Sequence, residues 1–308
     1  MSDKSGRAIF IAGPTASGKS AAAIALAEAI GGEIVNADAI QVYRDLDILS
    51  GRPTAADEAR APHHLFGFVD GGERYSAGRF GRDAARVISE IGARGATAIV
   101  AGGTGLYFRA LHPGLAAIPS IPDAVRAEAR VRLESLGPKA FRGELIARDE
   151  GAATISETDP QRLLRAFEVL AATGVPLSEW RRLAGSTPTA APSARVVIEP
   201  DRAFLYAASD ARLDRMIARS ALDEARRLMA RELDPDLPVM KALGAAELMA
   251  HLDRRLSAEA AIDLAKRNTR RFAKRQLTWF RHQAADWPRV DDWRRAVALL
   301  VGGLHSAR

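Results

Sequence analysis

The chain has 308 residues, of which 47% are hydrophobic and 27% charged, and its formal net charge is +6. It contains no cysteine, which excludes disulfides, zinc–thiolate centres and thiol nucleophiles. No stretch approaches the roughly 20 apolar residues of a membrane span. We therefore expect a cytoplasmic globular protein without a membrane segment, whose positive charge is compatible with a polyanionic partner.

The first predicted elements are a buried strand and a phosphate-binding loop. Ala8–Ala12 is a short apolar run, and GPTASGKS at residues 13–20 fits the pattern G-x-x-x-x-G-K-[ST]. An Ala- and Leu-rich helix follows, so backbone N–H groups at its N-terminus can surround phosphate oxygens. Lys19 supplies a charge for the terminal phosphate, and the Ser20 hydroxyl is a ligand for Mg²⁺. We predict that a di- or triphosphate is bound by Gly13, Pro14, Thr15, Ala16, Ser17, Gly18, Lys19 and Ser20.

Two further strands end on polar residues. The strand at 33–35 leads to Asp38, and the strand at 97–101 leads to Thr104 within Gly-Gly-Thr-Gly. Ligands of parallel α/β sheets bind beyond the carboxyl ends of the strands, so both residues are expected near the phosphate loop. Gly-Gly-Thr-Gly carries no carboxylate, which argues against phosphoryl transfer to water. Asp38 is then a candidate metal ligand or general base, although turn or capping roles remain open for both residues.

The predicted elements change after about residue 117. Three helices without an intervening strand are predicted at 122–135, 138–148 and 160–172, the last capped by Asp159 and Gly174. A linker follows at 185–193, and strand character resumes at 195–198. We predict an α/β fold of the phosphate-loop NTPase type, with a parallel sheet and flanking helices, in residues 1–117 and 189–308. An all-helical insertion domain is predicted in residues 118–188.

A strongly basic helix is predicted near the end of the chain. Between residues 264 and 285 there is no acidic residue, and seven cations fall on one half of the helical wheel. Such a face is typical of a phosphate-backbone contact, although a solvated surface is the alternative. Asn268, Thr269 and Gln276 lie on the inner half, where they either face the site or make buried capping bonds.

These motifs together resemble the bacterial tRNA dimethylallyltransferases, also called tRNA isopentenyltransferases. The matching segments occur in the order of that family and cover nearly the whole chain. They are residues 13–20, 38–44, 62–65, 75–80, 102–107, 159–165 and 269–281.

The resemblance implies a prenyl transfer rather than ATP hydrolysis. The dimethylallyl group would pass from dimethylallyl diphosphate to N6 of adenosine 37, 3′ of the anticodon, giving N6-(dimethylallyl)adenosine and diphosphate. In this family pattern Asp38 accepts the N6 proton and Thr104 hydrogen-bonds near the reacting groups. Lys19 and Mg²⁺ stabilise the leaving diphosphate, which Arg212 also reaches. For Arg212, an ion pair with Asp210 or Asp214 is the alternative.

The resemblance also implies that the target adenine leaves the anticodon-loop stack and enters a pocket. The residues expected to bind tRNA are Asp38, Ala39, Ile40, Gln41, Thr104, then Arg126, Arg162, Leu163, Leu164 and Arg165 in the insertion, and Lys266, Arg270, Arg271, Lys274 and Arg275 on the basic helix. The expected partners are the tRNA anticodon stem-loop, dimethylallyl diphosphate and Mg²⁺, the metal being held in part by Ser20. We expect the protein to act as a monomer.

Three positions depart from the family pattern. Ala39 stands where Ser is usual, Ala208 where Arg is usual, and Ser220 where Gly is common. We expect these changes to alter packing or a peripheral contact rather than the reaction.

Three other functions fit parts of the sequence. A small-molecule kinase would use the phosphate loop, but it requires neither the basic helix nor a strand end without a carboxylate. A prenyltransferase acting on free nucleotides would share the chemistry without the RNA. A non-catalytic RNA-binding protein would not need Lys19, Asp38 and Thr104 together.

Overall fold

The computed structural model describes residues 8–183, 190 and 192–306. The chain forms two compact units, one made of Met1–His112 and Pro188–Arg308, the other of Pro113–Thr187. The linker predicted at 185–193 lies largely outside the described residues. None of the helices described below is both long enough and apolar enough to cross a membrane.

The first unit is built on a six-stranded sheet whose neighbouring strands are all parallel, which confirms the predicted α/β class. The strands are β1 Ala8–Ala12, β2 Glu33–Asn36, β3 His63–His64, β4 Ala98–Gly102, β5 Pro192–Ile198 and β6 Arg289–Val290. Their order across the sheet is β3-β2-β4-β1-β5-β6. Because β2 and β4 pair directly, the residues that follow them, Asp38 and Thr104, leave the sheet at the same edge.

Twelve α-helices occur in the described residues, of which the fifth to seventh belong to the second unit. They are α1 Lys19–Ile30, α2 Ala55–Glu58, α3 Ala77–Ala93, α4 Gly105–Leu111, α5 Asp123–Ile146, α6 Pro160–Thr173, α7 Leu177–Leu183, α8 Arg202–Ala218, α9 Ala221–Met229, α10 Ala245–Leu252, α11 Ala258–Gln283 and α12 Trp293–Ser306. Short 3₁₀ turns lie at Glu150–Thr154 and Pro238–Lys241.

Alternation along β1 places the core on both faces of the sheet. Ile9 and Ile11 pack with the buried residues of α1 and α12. Phe10 points to the opposite face, where its ring lies 5.6 Å from that of Phe108 on α4. Phe108 in turn contacts Phe280 of α11, with ring centroids 6.3 Å apart. Alternating side chains of one buried strand therefore bring the long basic helix against the sheet.

The second unit has its own hydrophobic core and, in its described part, only helices. Phe141, Leu163 and Phe167 are among the buried residues where α5 packs on α6. The break predicted between the helices at 122–135 and 138–148 lies within α5 at Gly137, whose φ of 73° and ψ of 161° are not helical. Asp159 accepts the N–H of Arg162 at the start of α6, as the sequence predicts.

A buried carboxylate on α9 organises the loop after β2. Glu224 is 1% exposed, and its oxygens accept the backbone N–H groups of Asp47, Ile48 and Leu49 at 2.6, 2.9 and 2.6 Å. Charge-assisted bonds of this kind are stronger than neutral ones. The carbonyl groups of Ser50 and Gly51, which follow directly, are thereby held in place for the bonds described below.

We predict that Glu224→Gln destabilises the protein by about 2–4 kcal/mol, because an amide replaces an acceptor that faces three donors. Asp223→Asn is the matched control, since Asp223 is exposed and pairs only with Arg226 in the described residues. It should cost less than about 1 kcal/mol. Urea unfolding followed by tryptophan fluorescence measures both, and equal losses would contradict the anchoring role of Glu224.

Candidate active site

The phosphate loop ends in a helix whose N-terminus is open. Gly18, the N-cap of α1, has φ of +89°, a left-handed conformation that suits glycine, and no side chain caps the helix. The first N–H groups of α1 are therefore left for an anion. Ser17 Oγ is buried and has no hydrogen-bond partner among the described residues. Lys19 Nζ donates to the carbonyl oxygen of Pro14 at 3.1 Å.

Asp38 is held in a tight turn that leaves one carboxylate oxygen available. Its backbone N–H donates to Asn36 Oδ1 at 2.8 Å, and its Oδ1 accepts the N–H of Ile40 at 3.0 Å. The Asn36 amide also donates to the carbonyl oxygens of Asp38 and Leu65. In the described part of the chain, Oδ2 of Asp38 has no hydrogen-bond partner. The turn role considered for Asp38 thus occupies one oxygen and leaves the other unbonded in the described residues.

Thr104 connects the ends of β2 and β4. Its Oγ1 accepts the N–H of Ala39 at 2.9 Å, and its own N–H donates to the carbonyl oxygen of Ala37 at 3.1 Å. The two segments approach so closely that a Cβ on Gly102 would lie 2.1 Å from that carbonyl oxygen. Because Thr104 Oγ1 acts as an acceptor toward Ala39, its hydroxyl proton is free to donate to a ligand.

Arg212 projects from α8 to the phosphate loop. Its Nη1 donates to Thr15 Oγ1 at 3.0 Å and its Nη2 to the carbonyl oxygen of Ser50 at 3.1 Å. Gln41 donates to the same carbonyl and to that of Gly51, at 3.1 and 2.8 Å. The alternative partners of Arg212 are engaged elsewhere, because Asp210 pairs with Arg270 and Asp214 with Lys266.

Three charges meet at the loop. Burial lowers the pKa of the Lys19 ammonium from 10.5 to about 8, against the opposing attraction of the Asp38 carboxylate, and the nearby Arg212 lowers it further. Burial also lowers the pKa of the Arg212 guanidinium, again opposed by Asp38. Positive charge therefore exceeds negative charge here, which favours binding of a phosphate group.

A cavity of about 550 Å³ lies beside this cluster. Ser20 and Arg212 line it, together with Arg52, Arg215 and Arg219. Asp38 and Thr104 are not among its lining residues. The cavity thus adjoins the phosphate loop on the side of Arg212.

The basic face of α11 is only partly free. Lys266 pairs with Asp214, Arg270 with Asp210 and Arg281 with Glu199. The face is therefore not wholly cationic, because neighbouring elements supply carboxylates that are absent from the local sequence. On α11, the exposed cations that have no ion pair in the described residues are Arg267, Arg271, Lys274 and Arg275.

The polar residues on the inner half of α11 have three different roles. Thr269 donates to the carbonyl oxygen of Ala265 within the helix, and Asn268 donates to Glu247 of α10 at 2.6 Å. Gln276 instead faces the site, where it bonds Thr15 and Gly103. Sequence reasoning left this choice open, and it did not identify the Ser50 and Gly51 carbonyls at all.

The predicted RNA-binding residues of the second unit differ in accessibility. Arg162 is exposed and pairs with Asp159, whereas Arg126 and Arg165 flank the buried Glu168. Burial lowers the pKa of the Arg165 guanidinium. Leu163 is fully buried in the core of this unit and Leu164 packs against it. The structure thus contradicts an RNA contact by the Leu163 side chain, because the helix uses this position for its own packing.

Comparison with known proteins covers nearly the whole chain. A family model described as IPP transferase matches residues 41–283, and one described as isopentenyl transferase matches residues 6–61. A tRNA dimethylallyltransferase from Phenylobacterium zucineum is 52% identical over 300 residues, which cover 95% of this chain and 97% of that protein. One from Bradyrhizobium sp. is 48% identical, with 96% and 98% covered.

Two solved structures are also similar. A tRNA isopentenylpyrophosphate transferase from Bacillus halodurans aligns over 97% of both chains, with 32% identity and a TM-score of 0.68. A eukaryotic dimethylallyltransferase acting on tRNA aligns with 90% of this chain and 70% of its own, with 29% identity and a TM-score of 0.77. Because the first family model spans most of the chain and the relatives match it nearly end to end, the chain belongs to the IPP transferase family, as do the tRNA dimethylallyltransferases.

Proposed function

We propose that this protein transfers the dimethylallyl group of dimethylallyl diphosphate to N6 of adenosine 37 in tRNA, giving N6-(dimethylallyl)adenosine and diphosphate. The observation that carries the proposal is the open N-terminus of α1, where Lys19 and Arg212 face a single carboxylate, Asp38. Such a site holds a diphosphate and offers one proton acceptor beside it. Membership of the IPP transferase family supports the same reaction.

The phosphate loop assists departure of the diphosphate. The exocyclic amine of adenine is a weak nucleophile because its lone pair is delocalised into the ring, so the leaving group must be strongly stabilised. As the C1–O bond breaks, its electron pair passes to the diphosphate, whose growing charge faces Lys19, Arg212 and the free N–H groups of α1. These donors stabilise the negative charge that develops on the diphosphate as it leaves.

Asp38 removes the proton that the amine must lose. The N6 lone pair forms the new bond to C1, and the N6 proton passes to the free Oδ2 of Asp38, while Oδ1 stays fixed by Ile40. Thr104 lies next to this turn through its bond to Ala39, and its hydroxyl proton is available to an acceptor on either substrate. We assign Gln41 and the backbone of residues 38–41 to the adenine pocket.

Mg²⁺ fits this site as a partner of the diphosphate. The exposed Ser20 hydroxyl stands at the start of α1, and the described residues contain no group of three His, Asp or Glu side chains that would hold a metal without a ligand. Mg²⁺ is commonly held by few protein groups together with substrate phosphates. When bound, it would neutralise charge on the leaving diphosphate.

The tRNA backbone is assigned to the exposed cations of the protein. On α11 these are Arg271, Lys274 and Arg275, joined by Arg267, whereas Lys266 and Arg270 already pair with carboxylates of α8. Of the three arginines predicted to bind tRNA in the second unit, Arg162 is the exposed one, and Arg126 and Arg165 would have to leave Glu168 to reach a phosphate. The anticodon stem-loop is the substrate that this distribution favours over a free nucleotide.

The reaction is tested by incubating the protein with dimethylallyl diphosphate, Mg²⁺ and unmodified tRNA, followed by mass analysis of the nucleosides. We expect a prenylated adenosine, no product with AMP, and no matching release of γ-phosphate from ATP. In the same assay, Asp38→Asn should lower turnover by about 10²–10⁴-fold, because Asn keeps the acceptor for Ile40 but cannot take a proton.

The matched control is Asp70→Asn, since Asp70 accepts the N–H of Gly72 in the same type of turn. Its turnover should stay within about twofold of the unsubstituted protein. RNA affinity should be retained in both variants. If Asp38→Asn loses RNA affinity while its turnover per bound RNA survives, Asp38 is not the base.

The affinity for the diphosphate donor should fall as the pH rises through 8. The anion binds the protonated Lys19, whose pKa is lowered to about 8, so deprotonation removes a favourable charge. The donor itself gains no further charge in this range, because the last phosphate ionisation lies near pH 6. Between pH 8 and 9 the KM for the donor should rise about fivefold, while the RNA Kd stays constant. A donor KM that does not change between pH 7 and 9 would show that Lys19 does not contribute to binding of the diphosphate.

Salt dependence distinguishes the exposed cations of α11 from the paired ones. Each phosphate contact contributes about 0.7–0.9 to the slope of log affinity against log salt. The triple variant Arg271→Gln, Lys274→Gln, Arg275→Gln should therefore reduce the slope by about 2–3. Arg281→Gln, on the same helix but paired with Glu199, should leave it nearly unchanged. Equal effects would mean that the exposed face does not contact RNA.

A further inference from the structure

Gln276 joins the basic helix to the phosphate loop. It is 6% exposed, and both ends of its amide are bonded. Its Oε1 accepts the backbone N–H of Thr15 at 2.9 Å, and its Nε2 donates to the carbonyl oxygen of Gly103 at 2.8 Å. Only one orientation of the amide satisfies both partners, because one is a donor and the other an acceptor. One side chain of α11 thus fixes two loops of the candidate site.

These bonds continue into the rest of the site. Thr15, whose N–H is held by Gln276, accepts Arg212 Nη1 through its hydroxyl, and Arg212 in turn donates to the Ser50 carbonyl. Gln41, assigned to the adenine pocket, donates to that same carbonyl. An unbroken series of hydrogen bonds therefore runs from α11 through the phosphate loop to the segment beside Asp38.

The exposed cations of α11 lie next to the origin of this series. Arg275 directly precedes Gln276, and Lys274 and Arg271 lie within two turns on the solvent side. A phosphate backbone held by these cations would restrain α11, and Gln276 would transmit that restraint to Thr15. Gln276 and Gly103 are packed closely, since a Cβ on Gly103 would lie 2.3 Å from Gln276 Nε2.

We propose that Gln276 is a positioning residue that couples RNA binding on α11 to diphosphate binding in the phosphate loop. RNA bound to α11 favours the loop conformation that accepts the diphosphate, so each ligand tightens the binding of the other by the same factor. This inference rests on the proposed function, because it takes tRNA and a diphosphate as the two ligands. It adds a residue and a mutual dependence that the reaction itself does not require.

The test measures the Kd of inorganic diphosphate with Mg²⁺ by calorimetry, with and without a saturating unmodified anticodon stem-loop. These two ligands do not react with each other. In the unsubstituted protein, the stem-loop should tighten diphosphate binding by at least about fivefold, the lower end of typical coupling between sites. The coupling ratio is the Kd of diphosphate without the stem-loop divided by the Kd with it. Gln276→Met has a side chain of similar length but cannot make these hydrogen bonds. It should bring the coupling ratio close to one while each ligand still binds alone.

Two further variants make the result specific. Thr278→Ala is the matched control on α11, because Thr278 is exposed and bonds only the carbonyl oxygen of Lys274 in the described residues. Thr278→Ala should have the same coupling ratio as the unsubstituted protein. Gly103→Ala keeps Gln276 but places a methyl group against its amide, which should displace it. The coupling ratio should therefore fall close to one, as in Gln276→Met. Gly103→Ala also tests the coupling if Gln276→Met fails to fold.

The outcomes separate this inference from the function on which it rests. Suppose that the unsubstituted protein prenylates tRNA but has a coupling ratio of one, or that Gln276→Met and Gly103→Ala both keep its full coupling ratio. In either case the coupling role of Gln276 is overturned and the proposed reaction stands. If the protein neither binds diphosphate nor prenylates tRNA, both proposals fall.

Discussion

Unbalanced positive charge at the phosphate loop is the constraint around which the first unit is organised. Lys19, Arg212 and the open N-terminus of α1 converge where only Asp38 opposes them. Burying a cation is costly, as the lowered pKa of Lys19 shows, and the neighbouring Arg212 adds to that cost unless an anion completes the site. In the proposed reaction a diphosphate would supply that anion, and the ligand whose departure the reaction requires would then also stabilise the arrangement.

Holding these charges in position depends on elements that lie far apart in the sequence. Glu224 on α9 fixes the loop that presents the Ser50 carbonyl, and that carbonyl orients Arg212 from α8. Gln276 on α11 fixes Thr15, which receives the same guanidinium through its hydroxyl. The helices after β5 therefore serve as the frame for a loop that follows β1.

The features predictable from sequence are those with local signals. The loop at 13–20, the cap at Asp159 and the turn residues that follow β2 and β4 depend on neighbouring residues, and parallel pairing of β2 with β4 brings Asp38 and Thr104 to one edge. The contacts of Gln276 and Arg212 with Thr15 span 261 and 197 residues, and helical periodicity indicates only that such side chains face inward. The carboxylates that neutralise Lys266 and Arg270 come from α8, so a wheel drawn for α11 alone overestimates its free charge. The strands at β3 and β6 have two residues each, too few for any alternation to be recognised.

The geometry accounts for two of the three departures from the family pattern, at positions 39 and 220, and nothing in the structure explains Ala208. At position 39 it is the backbone N–H that bonds Thr104, so Ala in place of Ser leaves that contact intact. Ser220 has φ of +70° at the start of α9, which accounts for the glycine that is common there, because a non-glycine residue in this region is strained by about 1 kcal/mol. The strained residue lies four positions before Glu224, whose three hydrogen bonds hold the same helix to the loop at 47–49. Ser220 thus stands at the start of a helix that Glu224 anchors independently to that loop.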